Sequence, residues 1–409
     1  MRGLRVGEAT VTLRCWRNGD GRTDYEILHT QGTLRIVRQL TGPSKLGPYH
    51  ILMGRRGRPW SARWYGLRRL AMKPALKPIA EQVIVITGAS SGIGLVTAQE
   101  AARAGACVVL AARNEADLRQ AVDDIRGAGG RAIYVVADVA DPDQVASIAR
   151  AAIGEFGRID TWVNNAAVSL YGRVMELSVD EMRRQFDVNY WGQVYGCRAA
   201  VPHLHRDGGA IINVGSALCD RSIPLQGNYC AAKHALRAFT DTLRMELEAE
   251  GAPIAVTLVK PASIDTPFFE KARTHLDVEP QPVPPVYAPE IVAHAILRCA
   301  VRPTRDVIVG GSGKLLSAAN MAPRIADRYM ERRMFEAQQT DIPVTEGRPD
   351  NLFAPVEHDG GQRGRTWRGR TKGTSAYTAA AFRPRLATGT LVGLALVMAA
   401  TSRWLPPRR

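Results

Sequence analysis

The sequence predicts a three-layer α/β protein: a doubly wound parallel sheet with helices on both faces, forming a single central domain with terminal extensions. Two observations carry this. Between Val83 and Val309 there are seven short apolar strand candidates, separated mostly by helical stretches. Strands alternating with helices in this way require a parallel sheet covered on both sides. The first candidate, Val83-Ile-Val-Ile86, is an uncharged β-branched run, the pattern of a strand buried on both faces. It is followed at once by Thr87-Gly-Ala-Ser-Ser-Gly-Ile-Gly94 and then by helical spacing from Leu95 to Ala104.

A glycine-rich turn between a buried strand and a helix brings backbone N–H groups and the helix N-terminus up to a pyrophosphate. Thr87, Gly88, Ser90, Ser91, Gly92, Ile93 and Gly94 are therefore candidate dinucleotide-binding residues. A glycine triplet alone is a weak signal; the strand before it and the helix after it make it specific. The next strand, Cys107 to Ala112, ends in Arg113-Asn114. NAD sites usually place a carboxylate near this point for the ribose 2′-hydroxyl, whereas a guanidinium can grip the 2′-phosphate of NADP bidentately. NADP(H) is favoured over NAD(H), the competing reading being a solvated arginine at a strand end. The third strand, Ala132 to Val136, leads into Asp138-Val139, placed for the adenine edge.

Further along, the buried strand Ile211-Ile-Asn-Val214 is followed by Gly215-Ser216, and thirteen residues after Ser216 comes Tyr229, with Lys233 four beyond. Positions i and i+4 of a helix share a face, so the phenol and the ammonium look into the same space. A phenol ordinarily titrates near ~10, too high for proton exchange near neutrality. An adjacent ammonium favours the phenolate and draws that value down. Ser216, at the strand end, can donate a hydrogen bond to a substrate oxygen.

With these pieces in place the chain resembles the short-chain dehydrogenase/reductase superfamily in its single-domain, Rossmann-type form, over about Lys77 to Gly313. Thr87, Gly88, Gly92 and Gly94 match the family's TGxxxGxG turn. Asn164-Asn165-Ala166 matches the motif after its fourth strand, and Lys260-Pro-Ala-Ser-Ile-Asp-Thr266 resembles the segment after its sixth. The resemblance implies that Asn165, Ala166, Pro261 and Thr266 join the cofactor site. It also implies a catalytic set of Ser216, Tyr229, Lys233 and Asn189. In it Tyr229 is the acid/base and Ser216 orients the carbonyl or alcohol. Lys233 holds the nicotinamide ribose and lowers the tyrosine pKa, and Asn189 helps hold a water in the proton relay. The implied activity is an NADP(H)-dependent oxidoreductase moving hydride between nicotinamide and a carbonyl or secondary alcohol. An NAD-dependent alcohol dehydrogenase and a non-catalytic dinucleotide-binding sensor or scaffold are the alternatives, and retention of all four catalytic positions argues against the second. Ala167 and Ala262 depart from the family, which usually has glycine at both; each adds a methyl near the cofactor floor without removing a donor. Counterparts of the long helices Glu181–His205 and Tyr229–Glu250 commonly form a dimer or tetramer face, so a homo-oligomer is implied.

The domain boundaries follow from composition. Residues 1–75 form a basic extension. Through Lys77 the chain carries sixteen Lys and Arg against four Asp and Glu, a net +12 of the chain's +15. The pI near 9.9 thus describes this segment rather than the domain at 76–313. With no folded nucleic-acid motif beside it, the segment predicts no nucleic-acid partner and no fold of its own. Residues 314–342 read as helical, and 343–385, rich in Gly, Pro and Arg, as a linker. The uncharged stretch 386–402, just short of the hydrocarbon core in length but flanked by arginines, reads as a C-terminal transmembrane anchor with the catalytic domain on the cytoplasmic side, the competing reading being a helix that docks on the enzyme or lies in the interface. Six scattered cysteines, Cys15, Cys107, Cys197, Cys219, Cys230 and Cys299, include no CxxC pair and fit a reducing compartment. His203 and His205 diverge at i and i+2 of a helix, so no metal site is assigned. Substrate identity is expected to reside in Phe268 to Pro289, where Pro282-Val-Pro-Pro285 breaks any helix. Trp191, Leu218, Phe268 and Phe269 are candidate apolar walls, pointing to a bulky apolar substrate.

Overall fold

The computed structural model describes residues 74–382 apart from 366, 368 and 370, together with the backbone of three strands near the N-terminus. Seven strands form the central sheet: β1 (Val83–Thr87), β2 (Cys107–Ala112), β3 (Arg131–Val136), β4 (Thr161–Asn164), β5 (Gly209–Val214), β6 (Ile254–Pro261) and β7 (Asp306–Val309). Their order is β3-β2-β1-β4-β5-β6-β7, with every neighbouring pair parallel. The order reverses between β1 and β4. A doubly wound sheet opens its ligand crevice there, outside the carboxyl ends of the strands.

The β-branched runs explain the layering. Successive side chains of a strand point to opposite faces. Ile84 and Ile86 accordingly enter one core with Val108, Leu110 and Val292, while Val83 and Val85 enter the other with Val109, Trp162 and Ile211. Each such side chain, fully buried, contributes about 1.5–3 kcal/mol. The covering helices are α1 (Gly92–Arg103), α2 (Glu115–Gly127), α3 (Pro142–Phe156), α4 (Val179–Phe186), α5 (Gly192–Asp207), α6 (Gly227–Glu250) and α7 (Pro289–Val301). Their ends carry the expected chemistry. Before α3, the Asp141 carboxylate accepts the amides of Asp143 at 2.8 Å and Gln144 at 3.3 Å; α4 opens on a Ser178/Glu181 capping box. The long helix predicted over Glu181–His205 is present with an interruption: a π-helical segment, Asp187–Trp191, joins α4 to α5.

Residues 1–70 form a unit of their own. Within it, strands Leu4–Val6, Ala9–Arg17 and Thr23–Gln31 make an antiparallel sheet. This corrects the expectation that the basic extension has no fold.

After β7, Gly310 turns the chain at φ 100° into α8 (Gly311–Ala318) and α9 (Pro323–Ala337). A short strand, Gln339–Pro343, then pairs antiparallel with Val278–Pro280. The segment read as a linker is instead packed on the domain. Leu352 is fully buried, the amide of Asn351 donates to the Lys271 carbonyl at 3.0 Å, and α10 (Ala376–Ala381) places Thr378 against the Gly310 amide at 3.0 Å. Its composition resembles a linker because the contacts are made by backbone carbonyls, arginines and carboxylates rather than by a periodic apolar face. The candidate anchor at 386–402 lies outside the described residues; among those described, no helix is long and apolar enough to cross a membrane.

Candidate active site

The glycine turn is shaped by close backbone approach. A Cβ on Gly94 would stand 2.2 Å from the Gly88 carbonyl oxygen, and one on Gly88, itself at φ 65°, would stand 2.7 Å from the Ala166 Cα. Only hydrogen fits at either position. The loop after β4 braces the turn: the amides of Asn165 and Ala166 donate to Thr87 Oγ1 at 3.0 and 3.1 Å, and Asn165 Nδ2 donates to the carbonyls of Thr87 and Gly88. Asn164, by contrast, is internal, bonded to Asn213 and Trp162. Helix α1 begins without a side-chain cap. Gly88, Ser90, Ser91, Gly92 and Ile93 line a cavity of about 820 Å³ at the carboxyl end of the sheet.

Arg113, Asp138, Val139, Asn165, Ala166, Pro261 and Thr266 line the same cavity, so the structure gathers the predicted cofactor residues around one space. Thr87 and Gly94 stand behind the turn and shape it from outside the lining. Arg113 is already engaged: its guanidinium donates to the carbonyls of Asn351 and, at 3.2 Å, Phe353. The Asp138 carboxylate accepts the Ala140 amide at 3.0 Å and pairs with Arg184.

The proposed catalytic groups meet further along the cavity. Ser216 follows β5 and caps a short 3-10 turn, its Oγ accepting the Leu218 amide at 3.1 Å. Tyr229 and Lys233 lie on one face of the first turns of α6, with Lys233 Nζ 5.6 Å from the phenol ring centre. Lys233 is 1% exposed and donates to the Val214 carbonyl at 3.0 Å. Burial pushes its pKa down to about 8. Burial also pushes the Tyr229 phenol up, while a hydrogen bond with the Ser216 side chain pulls it the other way. The expected lowering of the Tyr229 pKa is therefore not present here. The ammonium is turned to the Val214 carbonyl, and burial is the largest influence on the phenol. Asn189 does not line the cavity. It sits fully buried in the π-helical segment, accepting the Val168 amide at 2.8 Å and donating to the Val168 carbonyl at 2.9 Å. Its side chain thus holds a cavity-lining loop in place.

A family model described as short chain dehydrogenase matches residues 82–277. The uncharacterized oxidoreductase YxnA of Bacillus subtilis (strain 168) is 46% identical over 328 residues, covering 79% of this chain and 91% of that protein. The chain belongs to the short-chain dehydrogenase family. An 11-beta-hydroxysteroid dehydrogenase A of Sesamum indicum is 35% identical over 240 residues, 56% of this chain and 68% of that protein. Among solved structures, the L-sorbose reductase from Gluconobacter frateurii, complexed with NADPH and L-sorbose, is similar. It has 27% identity and a TM-score of 0.51 over 59% of this chain and 98% of that one. This short-chain dehydrogenase is accordingly an oxidoreductase acting on the CH–OH group of donors with a nicotinamide cofactor.

The far end of the dehydrogenase's cavity is apolar. Leu218, Ile223, Phe268, Phe269, Val283 and Pro285 line it, joined by Met330 and Met334 of α9. The Phe268 ring meets Tyr229 edge-on at 6.0 Å. The proline-rich loop therefore forms cavity wall. Trp191 does not: it is 44% exposed and stacks on Tyr195 outside the cavity, because the π-helical segment turns it outward. The sequence reading also missed α8 and α9 as wall, and missed Lys271, Asn351, Pro355 and Asp359 on the cofactor side. The adjacent pair Gly360-Gly361 was the available signal that this stretch holds a fixed turn.

Proposed function

We propose that this chain is an NADP(H)-dependent oxidoreductase of a bulky, apolar carbonyl or secondary alcohol, with Tyr229 as its acid/base. One observation carries the reading: a single cavity runs from the glycine turn, past Ser216, Tyr229 and Lys233, to an apolar chamber. The turn suits a dinucleotide because α1 opens beside the cavity with no side-chain cap, and helix N-termini favour anions. The nicotinamide, when bound, supplies or accepts the hydride. In reduction Tyr229 gives its proton to the developing alkoxide while the Ser216 hydroxyl holds that oxygen in line. Lys233 places a cation behind the phenol, and Asn189 acts by positioning the Val168 loop. A sensor that merely bound dinucleotide would have no use for a buried ammonium beside a phenol, an arrangement that costs stability and marks functional sites.

Preference for NADP(H) is supported by Arg113 at the end of β2 and by the NADPH complex of the sorbose reductase. NAD(H) is the second reading, favoured by the two carbonyls that already occupy the Arg113 guanidinium. The two are separated by comparing kcat/KM for NADPH and NADH across steroid, quinone and long-chain ketone substrates. Wild type is expected to prefer NADPH. Arg113→Ala is expected to weaken NADPH by roughly 1–3 kcal/mol more than NADH, the size of a lost charge-assisted hydrogen bond. Equal losses for both would contradict the assignment.

A further inference from the structure

Resting on the dinucleotide reading of the cavity, we infer that residues 350–364 form a clasp over the cofactor, latched by Lys271, so that cofactor enters and leaves only when the clasp lifts. The segment touches the cofactor-facing turns of the domain in order. The carbonyls of Asn351 and Phe353 accept from Arg113, and those of Val356 and Glu357 accept from Asn114 Nδ2 at 2.9 and 3.1 Å. The Asp359 amide donates to Asp117, and the Gly361 carbonyl accepts the Gly92 amide at 2.8 Å. These partners are the end of β2, the start of α2 and the start of α1, the strand-to-helix turns that border the cofactor end of the crevice. Asn351, Pro355 and Asp359 themselves line the cavity. The clasp therefore roofs the space and leaves it open beneath.

Lys271 is the latch. Its Nζ contacts Ser91 Oγ of the glycine turn at 2.9 Å, and the carboxylate and carbonyl of Asp359 at 2.8 and 3.0 Å. It joins turn to clasp with a cation standing beside the site of the pyrophosphate. Gly360 and Gly361, at φ 83° and 74°, both adopt left-handed backbone, which turns the Gly361 carbonyl onto α1.

Both ends of the clasp are tied down. On one side Arg348 pairs with both Glu279 oxygens at 2.8 Å. On the other, Arg363 pairs with Glu290 at 2.8 Å and the Lys372 carbonyl accepts the Ala288 amide at 3.0 Å. Between them Leu352 is the one fully buried apolar side chain among the described residues of the clasp. A segment held chiefly by polar contacts at its middle and anchored at its ends can open locally at small cost while the domain stays folded.

The test uses the full chain carrying Cys15→Ser, Gln99→Cys and Gln362→Cys, the last two at positions whose native side chains meet at 2.6 Å. The described native cysteines are all buried, so a short thiol-reactive linker, cleavable by reductant, bridges the new pair after loading with NADPH. Release is followed by nicotinamide fluorescence during a chase with excess NADP⁺. We expect release to slow roughly tenfold or more in the bridged protein and to recover when the bridge is reduced. Lys271→Met, unbridged, should release both NADPH and NADH roughly tenfold faster, because the latch sits at the shared pyrophosphate. Equal release before and after bridging, with NADPH still bound, would overturn the clasp and leave the oxidoreductase reading intact. Failure of wild type to bind either cofactor would overturn the dinucleotide reading, and the clasp with it.

Discussion

Below about pH 8 the buried Lys233 side chain carries its proton, and above that value it becomes neutral, well before a lysine in water would. Burial holds the Tyr229 proton on past the ordinary phenol value, so the lysine titrates first. The cation behind the phenol is then the group lost as pH rises. For carbonyl reduction, kcat/KM should be level through neutrality and fall by roughly tenfold per unit above about pH 8, since kcat/KM reports the free enzyme. A profile still level at about pH 9.5 would show that the reaction does not need the charge on Lys233. Ser216, Tyr229 and Lys233 were legible in the sequence because strand end and helix spacing fix where they point. The direction of the tyrosine shift was not, because it depends on how much water the fold excludes. Lys271 was equally invisible: a lone lysine in a loop acquires meaning only when Asp359 and Ser91 are brought to it.

Turns and strands are where local sequence speaks most plainly. The apolar runs gave β1, β2, β3 and β5 to within two residues, and the glycine turn was recognisable from its flanks. That turn carries a sharp steric expectation. Gly94→Ala places a methyl 2.2 Å from the Gly88 carbonyl, and backbone cannot step aside cheaply. The variant should lose about 1–3 kcal/mol of stability or more, and dinucleotide binding with it. Gly154→Ala in α3 meets nothing within 4 Å and serves as the control; it should be neutral or slightly stabilising. Similar melting temperatures for the two variants would refute the close-approach account of the turn. The π-helical segment at Asp187–Trp191 escaped sequence reasoning because a single widened turn inside a helix has no residue signature of its own. It nonetheless decides that Asn189 points inward to the Val168 loop and that Trp191 points out. The stretch after Pro343 escaped for a different reason. Its contacts are polar and long-range, and periodicity reports only apolar faces.

Across the whole molecule, sheet order alone brings the parts of the site together. Reversal between β1 and β4 opens the crevice, the loops after β1, β2 and β4 line one end of it, and β5 with α6 delivers the proposed catalytic groups beside it. Segments from beyond the shared domain complete the cavity: α8 and α9 wall the substrate end, and the 350–364 segment roofs the cofactor end. The central claim is that one tyrosine at the middle of this cavity moves the proton while the surrounding walls do the binding. Tyr229→Phe in the full chain tests it most directly, with NADPH affinity and turnover measured on the same preparation. The phenylalanine keeps the ring that packs against Phe268 and removes only the hydroxyl. NADPH affinity should stay within about twofold of wild type while turnover drops by roughly 10²–10⁴-fold, the usual contribution of a positioned acid/base. Turnover close to wild type with NADPH bound normally would contradict the account and move the proton transfer to another group.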